Sequence, residues 1–147
     1  MSATVHTGSC ACGAVTYRLT GNPKRVGLCH CVTCRKYTGA AFGAFAIYRA
    51  EAVAVTGETS VFRSSEKGRR HFCASCGSPI FGREEGSDEI DINAGTLDEP
   101  ERFVPTYQLW TVRRLPWLVN LEHMTEYSHN RAPEPPESAG RPEEPVG

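Results

Sequence analysis

The chain has 147 residues, enough for one domain with a real core, since a chain of this size buries roughly 68–70% of the surface it exposes when unfolded. Its composition is ordinary for a globular protein, 39% hydrophobic and 22% charged, with a formal net charge of −1. That balance argues against a nucleic-acid partner, whose binding draws on a basic surplus that the pairs Arg35-Lys36, Arg69-Arg70 and Arg113-Arg114 do not supply.

The first seven residues show no basic stretch followed by an apolar run, and no apolar stretch approaches the ~18 residues of a membrane span. The expectation is a cytosolic protein with no membrane partner, in a compartment that keeps thiols reduced. Along the chain, residues 13–19 (GAVTYRL) predict a strand with Val15, Tyr17 and Leu19 on one face. A short helix is predicted over 32–37 and a strand over 41–48 (AFGAFAIY). Residues 52–55 and 60–63 flank Thr56-Gly57 and read as a hairpin or two short strands. Further strands are predicted at 79–82, 89–93 and 106–112, with a turn over 96–99. Turn residues are dense, as at Gly21-Asn22-Pro23, Lys67-Gly68 and Gly86, and no long segment keeps a helical period. The predicted class is mostly β. From Ser128 to Gly147 the chain is rich in Pro and Glu and nearly free of large apolar residues, the composition of a disordered tail.

Seven cysteines fall in three groups: Cys10-x-Cys12, Cys29-x-Cys31-x-x-Cys34 and Cys73-x-x-Cys76. An odd number suits a disulfide framework badly, whereas clusters at these spacings suit metal or redox chemistry. Gly13 and Gly77 each follow a pair and can close a metal-gripping turn. Ligand counting favours one division. Cys10, Cys12, Cys73 and Cys76 make a closed four-thiolate structural site, and Cys29, Cys31 and Cys34 make a three-thiolate site with one exchangeable position. Other readings stay open: the triplet borrowing Cys73, one structural zinc with spare buried thiols, or redox use of Cys73 and Cys76. His30 reads as a packing or supporting residue, and His71 as a strand residue or a fourth ligand. Arg35 and Lys36 either bind an anionic substrate, balance an anionic centre, or are simply solvated.

Three thiolates around zinc carry net charge −1 and acidify bound water poorly. A substrate thiol suits the vacancy better, because it loses its proton on binding and stays nucleophilic. The chemistry expected there is thiol–carbonyl addition or its reversal. No general acid or base can be named from the sequence.

The segments GSCACGAVTY, LCHCVTCRKYTGAAFGAFAIY, FCASCGSPIFGRE, INAGTLDEPERFVP and LWTVRRLPWL resemble the glutathione-dependent formaldehyde-activating enzyme family, which shares its domain with centromere protein V. The resemblance runs from His6 to Tyr127. It implies a zinc-ribbon-like β fold of the Mss4-like class, with structural zinc at Cys10, Cys12, Cys73 and Cys76 and catalytic zinc at Cys29, Cys31 and Cys34. It implies a carbon–sulfur lyase that forms or cleaves S-hydroxymethylglutathione from formaldehyde and glutathione. The alternatives are a non-catalytic interaction module, as in the centromere-protein branch, and a purely structural zinc protein.

Overall fold

The computed structural model describes residues 2–131, so residues 132–147 of the predicted tail lie outside it. Ten strands and one helix follow in order: β1 (Val5–Ser9), β2 (Thr16–Thr20), β3 (Arg25–Cys29), α1 (Val32–Thr38), β4 (Gly43–Arg49), β5 (Val53–Thr56), β6 (Thr59–Arg63), β7 (Gly68–Cys73), β8 (Pro79–Glu84), β9 (Glu89–Asn93) and β10 (Tyr107–Leu109). Short 3-10 turns join several of them, and no described helix is long and apolar enough to cross a membrane. The mostly β reading holds.

Two sheets form. A three-stranded sheet runs β1-β2-β5, and a seven-stranded sheet runs β10-β3-β4-β9-β8-β7-β6. All pairings are antiparallel except β10 with β3. Alternation along β2 sends Tyr17 and Leu19 inward with the preceding Val15, as expected of a half-buried strand. They join Ala46 and Tyr48 of β4, Ile80 of β8, and Ile90 and Ile92 of β9 in one core, closed by Leu97 and Phe103. Tyr17 reaches the rim of this core, where its hydroxyl meets the Thr96 hydroxyl at 2.8 Å. Burial pushes its phenol up to about 12.

The opposite face of the large sheet is what the site uses. The β7–β8 register is irregular between His71 and Phe72; beside it, ordinary strand alternation packs Phe81 with the core and turns Gly82 to the other face. On that face the pairings set Arg25, Ile47, Asp91, Gly82 and Arg70 side by side across five strands. At the sheet's end, the Tyr107 ring lies across Gly27, where any Cβ would collide with it.

Three strands escaped the sequence reading: β1, β3 and, His71 apart, β7. Each breaks the apolar alternation for a physical reason. The strand β1 carries a buried His6 packed edge-on against Phe103, β3 spends Gly27 on Tyr107, and β7 (GRRHFC) faces a polar cavity with its arginines. The strand predicted over 106–112 is shorter than expected. It stops after Leu109 because Trp110 takes a left-handed backbone (φ 57°), and Thr111–Arg113 then forms a 3-10 turn.

Candidate metal centres

The seven thiols gather into two groups, Cys10/Cys12/Cys73/Cys76 and Cys29/Cys31/Cys34, each with its sulfurs within 4.8 Å of one another. In the first group, the turn after β1 and the turn between β7 and β8 have the same construction. Gly13 N–H donates to the Cys10 carbonyl at 3.1 Å and Gly77 N–H to the Cys73 carbonyl at 2.9 Å. Both glycines take the left-handed backbone that lets such a turn close, φ 80° and 78°. Backbone N–H groups then aim at sulfur: Val15 at Cys10 (3.2 Å), and Ser75 and Cys76 at Cys73 (3.4 Å each). Ser78 stitches the two turns together, its Oγ accepting from Ala11 N–H at 2.9 Å and lying 3.2 Å from the Cys76 sulfur.

The sulfur spacing fits a tetrahedral metal. Metal–sulfur bonds of about 2.3 Å place ligand sulfurs about 3.8 Å apart. Cys10 and Cys12 are 3.5 Å apart, and Cys12 and Cys73 3.8 Å. Proton sharing within the groups points the same way. The Cys76 thiol is pulled down to about 5, first by the Ser78 hydroxyl and then by backbone N–H donors. Cys34, in the other group, is pushed up to about 12 by burial first and then by its Cys31 neighbour, with Arg70 pulling it back. Crowded thiols cannot all ionise without a cation among them, and a metal supplies one.

The triplet is held by two elements and the turn that joins them. Cys29 ends β3, Cys31 caps α1, and Cys34 lies in the first turn of that helix. The Cys31 sulfur accepts from Cys34 N–H at 3.3 Å, so the ligand is also the helix cap. Between Cys29 and Cys31, His30 is 1% exposed. Its N–H donates to the Leu109 carbonyl at 3.0 Å, and its Nε2 pairs with the Gln108 side-chain oxygen at 2.8 Å. Strand β10 thus anchors the ligand loop through His30, the supporting place the sequence suggested for it. His71 stands in neither thiol group. It stacks on Phe81 at 4.2 Å between ring centres and bonds the Thr59 hydroxyl at 3.1 Å.

The triplet opens into a cavity of about 550 Å³, within the range of small-molecule sites. Arg70 is the cation nearest the sulfurs. Its guanidinium lies over the Tyr37 ring and its Nη2 points at the Cys34 sulfur from 3.6 Å. Arg25 lines the far side but is committed to Glu89, with contacts of 2.7 and 3.1 Å. Arg25, and then Lys24, pull the Glu89 carboxyl down to about 2. Asp91 also lines the cavity, and burial holds its carboxyl above the ordinary carboxylate range against the pull of Arg25 and Arg70.

Arg35 and Lys36, the residues singled out for substrate in the sequence, border a different hollow with Leu115 and Trp117. The cationic wall of the triplet's cavity is formed by Arg25 and Arg70 instead. The sequence reading missed Arg70, Asp91 and Tyr107. A signal for Asp91 was present, since it interrupts the apolar pair Ile90 and Ile92; Arg70 stood only as one of a pair before Cys73.

Fold and sites together define a small, mostly β protein with two cysteine clusters that can hold metal ions. The chain belongs to the family described as glutathione-dependent formaldehyde-activating enzyme, whose model matches residues 5–113. An uncharacterised lyase of Schizosaccharomyces pombe is 29% identical over 90 residues, covering 60% of this chain and 66% of that one. A Halomonas elongata protein provisionally named a glutathione-dependent formaldehyde-activating enzyme is 35% identical over 85 residues, covering 50% of this chain and 53% of its own. The chain therefore spans about half to two thirds of the length of these relatives. A crystal structure of a Rhodobacter sphaeroides protein superposes with a TM-score of 0.56 at 20% identity, over 69% of this chain and 98% of that one, which supports the fold.

Proposed function

We propose that the chain is a zinc-dependent carbon–sulfur lyase that joins a carbonyl compound to glutathione or a similar thiol, or cleaves the adduct, with formaldehyde as the carbonyl and S-hydroxymethylglutathione as the adduct. The observation that carries this reading is the inequality of the two thiol groups. Four sulfurs close one group, while no fourth Cys, His, Asp or Glu joins Cys29, Cys31 and Cys34 among the described residues. The all-sulfur donor sets suit zinc at both places, and the sulfur spacing in the four-cysteine group is close to tetrahedral. Cys10, Cys12, Cys73 and Cys76 are read as the structural ligands, and Cys29, Cys31 and Cys34 as the catalytic ones, in a domain running from His6 to Tyr127.

When bound at the triplet, zinc supplies a position at which a substrate thiol sheds its proton and stays nucleophilic. The chain's own residues do the rest. Arg70, its guanidinium over the Tyr37 ring, sets a positive charge beside Cys34 and offsets the negative charge of the crowded sulfurs. Tyr107, Leu109 and Trp110 give the cavity an apolar wall. His30 holds the ligand loop to β10, fixing where a fourth sulfur stands relative to that wall.

Zinc-loaded protein is expected to accelerate both formation and breakdown of S-hydroxymethylglutathione in proportion to its concentration, measured by exchange spectroscopy on the equilibrating mixture. A rate that stays at the spontaneous value, even at protein concentrations approaching that of the substrate, would remove this activity.

A further inference from the structure

Thiol–carbonyl addition needs a proton at the carbonyl oxygen, and cleavage needs it removed. Asp91 is a carboxyl on the cavity face of β9. It lines both the cavity over the triplet and the smaller hollow of about 230 Å³ that adjoins it, and Cys31, Phe45, Arg70 and Glu84 border both as well. In the cross-strand row its neighbours are Ile47 on one side and Gly82 on the other. Gly82 leaves the floor open between Asp91 and Arg70, since a Cβ there would meet only the Arg69 carbonyl, at 3.8 Å. Two strand spacings separate those side chains, roughly 10 Å, which is room for a small carbonyl compound with its carbon toward the sulfurs.

No fold requirement accounts for a carboxyl at this place. The Asp91 side chain makes no hydrogen bond or ion pair among the described residues; Arg25 is engaged by Glu89 and Arg70 is aimed at Cys34. A half-buried carboxyl in a central strand without a partner costs stability that an apolar or amide side chain would not. Such groups concentrate at catalytic sites.

We propose that Asp91 is the general acid–base of the thiol–carbonyl reaction at the Cys29–Cys31–Cys34 centre. This rests on the reading of that centre given above. During addition the sulfur lone pair forms the new bond to the carbonyl carbon, the π pair moves to oxygen, and the oxygen takes the proton from the Asp91 carboxyl. The proton shed by the substrate thiol returns through solvent to Asp91, so that thiol plus aldehyde give the hydroxymethyl thioether and nothing is oxidised. In cleavage the Asp91 carboxylate takes the hydroxyl proton, the carbonyl re-forms, and the carbon–sulfur pair leaves with sulfur. Burial keeps the carboxyl protonated to higher pH than an exposed aspartate, the direction that an acid–base group serving both addition and cleavage requires.

The charged and titratable groups facing Asp91 are Arg25 from β3, Arg70 from β7, Glu84 from β8, Glu89 on its own strand, Tyr107 from β10 and the triplet thiols; β4 contributes only Phe45 and Ile47. Arg69 and Arg83 border the smaller hollow from β7 and β8. Asp91→Asn keeps the shape and removes the exchangeable proton. The zinc-loaded variant is expected to bind zinc and glutathione as the wild type does, by metal analysis and calorimetry, while both addition and cleavage slow by about 10²–10⁴-fold. With substrate saturating in each direction, wild-type addition slows and cleavage quickens as pH rises through the Asp91 titration; that inflection disappears in Asp91→Asn and returns in Asp91→Glu. Infrared difference spectra of wild type against Asp91→Asn should show a protonated carboxyl band that persists above the ordinary aspartate range. An Asp91→Asn variant within about threefold of wild type, or one that slows only because zinc or glutathione binding is lost, overturns the proposal and leaves the lyase reading standing. A wild-type protein with no activity overturns both.

Discussion

Cys76→Ser is expected to unfold much of the domain, although Cys76 is exposed and the change is nearly isosteric. On packing grounds alone an exposed substitution of this kind costs within about 0.5 kcal/mol. The proposed structural zinc changes that expectation. It ties the turn after β1 to the turn between β7 and β8, and so links the two sheets through four sulfurs and Ser78. Structural zinc sites contribute on the order of 10 kcal/mol, comparable with the entire stability of a domain, about 5–15 kcal/mol. Serine oxygen does not replace a thiolate in such a shell. Thermal unfolding followed by circular dichroism should show a loss of about 20 °C or more in Tm, or no cooperative transition at all. A variant that melts within a few degrees of wild type would show that this cluster does not hold the fold together.

Cys31→Ser is expected to do the opposite: abolish the reaction and spare the fold. The Cys31 side chain caps α1 by accepting from Cys34 N–H, and serine is among the best residues for that task, so the helix start survives. The soft sulfur is lost from a site that has only three. The variant should therefore purify with one zinc in place of two, melt within a few degrees of wild type, and leave S-hydroxymethylglutathione formation at its spontaneous rate. The paired measurement is sharp because the two substitutions are chemically identical and differ only in the cluster they enter. Equal unfolding by both would remove the division into a structural and a catalytic centre.

What the sequence revealed and what it hid follow from the same physics. Cysteine spacing is local chemistry, and the three motifs with Gly13 and Gly77 already grouped the sulfurs as the fold groups them. Strands with one face in the core were readable too: Val15, Tyr17 and Leu19 alternate inward, and the strand predicted at 89–93 coincides with β9. The cavity was not readable, because its wall comes from strands far apart in the chain whose facing residues are polar. Arg70 from β7 shares a face with Asp91 from β9 only after β8 is laid between them, with Gly82 on that face. The same polar face hid the extent of β7, which the sequence anticipated only at His71. Arg35 and Lys36 attracted attention by adjacency to Cys34, but a helix turns successive side chains in different directions, and theirs border the hollow near Trp117.

Zinc-edge X-ray absorption on reduced, zinc-replete protein, combined with metal quantification, reads the proposed unequal shells of the two zinc ions directly. Two zincs per chain are predicted, with an average sulfur count between three and four that rises to four when glutathione is added. One zinc per chain, or a second zinc whose shell is completed by a protein side chain and ignores glutathione, would contradict that inequality.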